Sequence, residues 1–181
     1  MSARLFAALE LPAPVRDTLG AFGRAAAADD FALRAVRDDA LHVTLAFLGH
    51  RGLDDIDPAR EAVREVAAAV PDLWLGEPLW LAPRRPHVLT VEVADATGAL
   101  LALQERVVAA LVEAVGYEPD RRRFRPHVTV ARVRRGAAPR QRGLPDAPSA
   151  SFAGEAVTLY RSWLGGGPAR YEALERVPLG S

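Results

Sequence analysis

One short string occurs twice in the chain: His42-Val43-Thr44-Leu45-Ala46 and His127-Val128-Thr129-Val130-Ala131. Both copies lie in runs rich in strand-forming residues, and side chains alternate across a strand. In each copy the histidine and threonine therefore share one face, while Val43 and Leu45, or Val128 and Val130, share the other. The apolar pair suits a core and the polar pair a cleft. Taken singly, each histidine reads as an ordinary strand residue and each threonine as a good β-former. Two matching copies in a chain with only 4 histidines point instead to one site supplied by two strands.

With an ordinary pKa of about 6.5, two imidazoles can act as one acid and one base across a single reacting group. Two threonine hydroxyls can donate to the non-bridging oxygens of an anion between them. This set suits in-line attack on a phosphodiester: one imidazole takes a proton from water, the other gives one to the departing oxygen, and fixed donors hold the charge. On these residues alone the two roles are interchangeable. A metal centre is a weaker reading, because neither string has an acidic residue or further histidine to complete a ligand set. A serine hydrolase is weaker still, since no G-x-S-x-G string is present.

Composition narrows the chemistry further. The 181 residues carry 23 basic and 23 acidic side chains for a formal net charge of zero, and every basic residue is arginine. With neither lysine nor cysteine in the chain, a Schiff base, a Walker A lysine, a thiol nucleophile, a cysteine zinc ligand and a disulfide are all excluded. Proton transfer is left to histidines and carboxylates. The length suits one domain, 1–181, or two small halves sharing a core, and a hydrophobic fraction of 50% supplies that core. No apolar run approaches the ~20 residues of a membrane span, and Met1 to Leu11 has no signal-peptide layout. The expected compartment is the cytoplasm.

The elements that must position the two strings follow from periodicity and punctuation. Arg4 to Leu11 reads as a strand, and Pro12 and Pro14 open a helix to about Ala28. Leu41 to Leu48 is a strand that stops at Gly49. Asp57 reads as an N-cap with Pro58 at the first helical position, the helix running to Val70. Leu73 to Leu81 and His87 to Val93 read as adjacent strands bent at Pro83 and Pro86. Leu100, Leu103, Val107, Leu111 and Val115 mark a helix over Thr97 to Val115, stopped by Gly116. Arg125 to Val133 is a strand, Gly136 to Ser151 a proline-broken loop. The strands Glu155 to Leu164 and Arg170 to Pro178 are joined by a Gly165 to Pro168 hairpin turn. Helices and strands mix without regular alternation, so an α+β class with antiparallel sheets is expected.

Other candidates carry less. His50 is expected in a solvated loop, and His87 begins a strand on the face opposite Thr90. Trp74, Trp80 and Trp163 are expected in the core. From Arg121 to Arg142 there are nine arginines and no acidic residue. Arg121, Arg122, Arg123 and Arg125 are the ones expected to approach the cleft and attract an RNA terminus through its phosphates.

At the repeated strings the sequence resembles the 2H phosphoesterases, and within them the RNA 2′,3′-cyclic phosphodiesterases, also called 2′-5′ RNA ligases. The blocks RLFAALELP, LHVTLAFLG, FRPHVTVAR and LYRSWLGGGPARYEAL carry the resemblance in order over nearly the whole chain. It implies a bilobal, pseudo-twofold α+β fold, with two antiparallel sheets lining a central cleft and helices outside, each lobe contributing one His-x-Thr strand. It also implies metal-independent hydrolysis of a 2′,3′-cyclic phosphate to the 2′-phosphomonoester, with no cofactor, and reversible 2′-5′ RNA ligation at the same site. His42 would be the proton donor, His127 the proton acceptor, and Thr44 and Thr129 the phosphate-binding hydroxyls. Arg132 would bind substrate, but strict alternation puts it on the face opposite His127, so that role requires a bulge or strong twist. By the same parity Phe47 is expected in the core rather than in a nucleobase wall. The implied partners are RNA termini or small cyclic nucleotides, with no protein partner, no membrane, and a monomeric state. The alternative from another class is a binding module that holds a nucleotide or RNA phosphate in the same cleft without turnover.

Overall fold

In the computed structural model, residues 1–66, 68–82, 84–140, 142–163 and 169–180 are described. Nine strands and three α-helices occur among them: β1 (Ser2–Glu10), α1 (Ala13–Asp29), β2 (Leu33–Ala35), β3 (His42–Gly52), α2 (Ile56–Glu65), β4 (Leu73–Leu81), β5 (Val88–Asp95), α3 (Ala99–Val115), β6 (His127–Val133), β7 (Ser151–Phe152), β8 (Ala156–Trp163) and β9 (Arg170–Pro178). The strands are ordered β7-β4-β5-β6-β3-β1-β8-β9, with β2 added beside β6. Every pairing is antiparallel. The expected α+β class is therefore the observed one. The two expected sheets are joined into one curled ladder, and the joint is a single residue pair, Val43 with Val128. Each motif strand pairs on its other side with the strand that precedes it across a helix: β3 with β1, and β6 with β5.

Helix α1 buries Val15, Leu19, Phe22 and Ala26, at steps of four, three and four, which is the stripe a core-facing helix needs. Gly23 lets this helix approach β6 closely: a Cβ there would lie 2.6 Å from the Val130 carbonyl oxygen. On the other half, α3 buries Leu100, Leu103, Val107 and Leu111 completely, and Gln104 Nε2 donates to the Leu45 carbonyl of β3 at 3.3 Å. The start of α3 is capped by two side chains. Thr97 Oγ1 accepts from the Ala99 N–H at 3.2 Å, and Asp95 Oδ2 accepts from the Leu101 N–H at 3.0 Å. Gly116, at φ 59°, ends it in the left-handed conformation glycine adopts without strain.

Several boundaries differ from expectation. The second helix begins at Ile56, so Asp57 and Pro58 lie inside its first turn, and it ends at Glu65. Val70 instead leaves the helix, is buried, and its carbonyl accepts the Gly154 N–H at 2.8 Å. That tie to the far end of the chain replaces another helical turn. Strand β3 continues through Gly49, at φ 70°, so His50 is an exposed strand residue paired with Arg4 rather than a loop residue. His87 lies just before β5. Strands β2 and β7 are too short to announce themselves by periodicity. The Gly165 to Pro168 turn lies outside the described residues. Trp80 packs against the core, whereas Trp74 and Trp163 are 41% and 46% exposed; the Arg161 guanidinium covers the Trp163 ring at 3.9 Å.

Candidate active site

The two strings meet where β3 joins β6. The Val43–Val128 pair runs antiparallel, so one residue to either side the register sets His42 toward Thr129 and Thr44 toward His127. Two imidazoles and two hydroxyls thus alternate around one joint. Val43, Leu45, Val128 and Val130 are all buried on the opposite side, as their spacing requires.

Each histidine opens its strand, and each is held the same way. His42 Nδ1 lies 2.8 Å from the Ala40 carbonyl oxygen, and His127 Nδ1 lies 2.6 Å from that of Arg125. A carbonyl can only accept, so each Nδ1 carries a proton, and Nε2 is the nitrogen each ring turns toward the cleft for proton exchange. Carboxylates face the imidazoles across the ladder, Glu10 opposite His42 and Glu92 opposite His127. Both are committed to arginine: Glu10 Oε2 to Arg176 at 2.8 Å and Glu92 Oε1 to Arg125 at 2.7 Å.

His42 is built into an aromatic cluster that its local sequence does not announce. Its ring stacks on Phe6 at 5.0 Å between centroids, and Phe6 stacks in turn on Tyr160 at 5.1 Å. Tyr171 packs edge-on against His42 at 5.6 Å. The far end of the stack is pinned by Glu10, whose Oε1 accepts from Tyr160 at 2.8 Å and from Thr158 at 2.6 Å. Burial, opposed by the Ala40 carbonyl and reinforced by the positive charges of Arg132 and His127, pushes the His42 pKa down to about 4. The ring is therefore neutral at pH 7 in the ligand-free protein. Glu10 closes the apolar run Leu5–Leu9 of β1 with a carboxylate, and that was the available signal for this network.

Alternation fails at the same place in both strings. Thr129 and Ala131 pair with adjacent residues of β5, leaving Val130 as an extra residue; Thr44 and Ala46 pair with adjacent residues of β1, leaving Leu45 extra. Each is a β-bulge, which resets the parity of everything after it. Ala131 and Ala46 are consequently buried beside their preceding apolar neighbours, and the fifth residue after each histidine turns outward. That residue is Arg132 in one string and Phe47 in the other. Arg132 is exposed, in the orientation that the substrate role required. Phe47 is 47% exposed with the Arg4 guanidinium 4.4 Å above its ring, so the expectation that it packs in the core is corrected.

Beside His42 lies a cavity of about 170 Å³ whose lining includes Arg34, Val36, Arg37, Ala40, Arg132 and Tyr171. Arg34 and Arg132 are directly paired there across β2 and β6. Of the four arginines expected at the cleft, Arg122 is engaged by Asp120 at 2.6 Å and Arg125 by Glu92, while no ion pair involves Arg121 or Arg123 among the described residues. No group of three or more His, Cys, Asp or Glu side chains comes together as a metal site among the described residues. No helix among them is long and apolar enough to cross a membrane.

The family model described as the 2′-5′ RNA ligase superfamily matches residues 15–165. The chain is 34% identical over 151 residues to an RNA 2′,3′-cyclic phosphodiesterase of Geobacillus stearothermophilus, covering 80% of this chain and 47% of that protein. It is 29% identical over 105 residues to one from Aeropyrum pernix, covering 56% of this chain and 58% of that protein. The chain thus spans about half the length of these curated relatives. Among solved structures, E. coli LigT complexed with 3′-AMP superimposes with a TM-score of 0.75 at 26% identity over 100% of both chains. TT0787 of Thermus thermophilus superimposes with a TM-score of 0.77 at 24% identity over 97% of both, a likeness of fold.

Proposed function

The chain belongs to the 2′-5′ RNA ligase superfamily, and from that membership and the paired imidazoles we propose that it hydrolyses the 2′,3′-cyclic phosphate of an RNA end or nucleotide to the 2′-phosphomonoester without a metal ion. The observation that carries this reading is the duplication at the β3–β6 joint: two imidazoles, each with Nδ1 fixed on a carbonyl two residues upstream and Nε2 free, alternating with two threonines. The whole of 1–181 is read as one domain of two pseudo-symmetric lobes, working as a monomer in the cytoplasm.

In the proposed reaction a water oxygen attacks phosphorus in line with the bond to O3′. The water proton passes to Nε2 of one imidazole as the P–O3′ bond breaks, and O3′ takes a proton from Nε2 of the other. Thr44 and Thr129 donate to the non-bridging oxygens, and the Arg132 fork adds a charge-assisted contact to the phosphate. Replacing water by a 5′-hydroxyl gives 2′-5′ ligation with the same proton transfers.

The family resemblance makes His42 the donor and His127 the acceptor. The neutral resting state of His42 favours the opposite assignment in the ligand-free protein, since a neutral imidazole is ready to accept. A phosphate anion bound beside His42 would raise its proton affinity and restore the donor role. The arms are separated by a cyclic substrate carrying sulfur at the 3′ position, because a thiolate leaves without a proton. Loss of the acid is rescued by this substrate, and loss of the base is not. If His42 is the donor, His42→Ala recovers turnover on the thio substrate and His127→Ala does not; the reverse result assigns the roles the other way.

The overall reading is tested by incubating the protein with 2′,3′-cyclic AMP in excess EDTA. The expected product is 2′-AMP. A 3′-AMP product, or turnover only with added metal, would overturn it, and AMP binding without turnover would replace it with a binding module.

A further inference from the structure

The arginines that stand free of carboxylates are not spread evenly. Beyond Arg132, strand β6 ends at Val133, whose N–H donates to the His87 carbonyl at 2.9 Å, and the Arg134 N–H donates to that of Ala32 at 2.8 Å. The ends of β5 and β6 and the turn before β2 therefore lie together. Between them opens a cavity of about 520 Å³, lined by Arg84, Arg85, His87, Arg134 and Arg135 and by no acidic side chain. None of these four arginines makes a salt bridge among the described residues, whereas Arg60, Arg64 and Arg176 elsewhere in the protein are each paired with glutamates.

A second feature adjoins the cavity. Phe31 is 81% exposed, and its carbonyl accepts from Arg134 Nε at 3.0 Å. Burial of an aromatic ring is favourable, so a phenylalanine left open beside a cluster of uncompensated guanidinium groups is placed where a stacking partner would meet it. Clustered cations with an open aromatic face are what a single-stranded nucleic acid track requires: arginines for the phosphates and a ring for a base.

The cavity adjoins the candidate site along the chain: Val133, in its lining, directly follows Arg132, which lines the His42 cavity. Arg34 and Arg132 sit in direct register beside the His42 cavity, and Arg134 is the first residue beyond the end of β6.

We infer that the surface formed by Arg84, Arg85, Arg134, Arg135 and Phe31 binds the single-stranded RNA that precedes a terminal phosphate held at the His42–His127 site. The inference rests on the function proposed above and extends it: the substrate is an RNA strand, read through its backbone over several nucleotides, rather than a free nucleotide. A cyclic mononucleotide reaches only the histidines and Arg132, while an oligonucleotide also reaches this surface.

The test compares 2′,3′-cyclic AMP with a short single-stranded oligoribonucleotide ending in a 2′,3′-cyclic phosphate, on the intact protein and two variants, Arg84→Ala/Arg85→Ala and Phe31→Ala. The altered residues are exposed, and thermal unfolding verifies that each variant is folded. Both variants are expected to keep kcat/KM on cyclic AMP and to lose at least about fivefold on the oligonucleotide. The double arginine variant is also expected to flatten the log–log salt dependence for the oligonucleotide by about 0.7 for each phosphate contact removed. Equal effects on both substrates, or none on the oligonucleotide, would overturn the inference. If the intact protein turns over neither substrate, the proposed function fails, and binding of the same strand ending in a 3′-phosphate decides the surface separately. Weaker binding by both variants supports it, and unchanged binding overturns it.

Discussion

Arg132 and Phe47 occupy the same place in two copies of one motif, and their chemistry differs as much as any pair in the chain. One offers a planar cationic fork, the other an apolar ring beneath Arg4. The duplicated frame therefore carries an asymmetric candidate site: an exposed cation on the β6 side and an open aromatic on the β3 side. Arg132→Ala is expected to lower kcat/KM on 2′,3′-cyclic AMP by roughly 10- to 100-fold, the loss typical of one charge-assisted contact. Arg132→Lys should recover little of it, because a lysine ammonium cannot form the two parallel bonds. Wild-type kinetics with either substitution would remove Arg132 from the site. If His42 is the acceptor, kcat/KM is expected to fall as pH drops through about 4, the value at which His42 titrates in the free protein; if it is the donor, kcat/KM falls instead as pH rises through that value. The residues of the site were legible as types and spacing. What alternation could not show was which way the fifth residue faces, because one extra residue in each strand inverts the answer.

At the scale of elements, both bulges lie beside the β3–β6 joint, and a helix backs each strand. Helix α1 presses on β6 through Gly23, with no room for a methyl group before the Val130 carbonyl of the bulge. Gly23→Ala is expected to cost about 1–3 kcal/mol of stability through overpacking, read as a lower urea midpoint; an unchanged midpoint would show that the helix can shift freely. Glu10 ties β1, β8 and β9 together. Burial alone would raise its pKa, but the hydrogen bonds from Thr158, Tyr160 and Arg176, with the Arg176 charge, outweigh this and hold it below 4.5. A carboxylate depressed by folding contributes stability above its ordinary value and loses that contribution as pH falls through the lower folded value. The wild-type Tm is therefore expected to fall more steeply than that of Glu10→Gln as pH drops below 4.5, and parallel curves would contradict this. The long helices were legible from three- and four-residue spacing. The end of α2 was not, since Val70 is held by Gly154, far along the chain, and no local pattern encodes that contact. The short strands β2 and β7 exist only through their pairing with β6 and β4.

Across the whole molecule, the formal charge of zero is an average over unlike regions. Arginines of the α2–β9 side are neutralised by Glu61 and Glu175, whereas Arg84, Arg85, Arg134 and Arg135 make no salt bridge among the described residues. A neutral protein with one basic surface is expected to bind RNA ends in a salt-sensitive way and release them. The absence of lysine and cysteine left histidine as the proton carrier, and the fold brings two of the 4 histidines to one joint through a single residue pair. The central claim is that these two imidazoles act together on one phosphate. It is tested most directly by measuring kcat/KM on 2′,3′-cyclic AMP in excess EDTA for the wild type, His42→Ala, His127→Ala and the double variant. The account predicts turnover by the wild type, a loss of at least about 10²-fold in each single variant, and a double-variant loss well short of the product of the two. Activity within about tenfold of wild type in either single variant would contradict it.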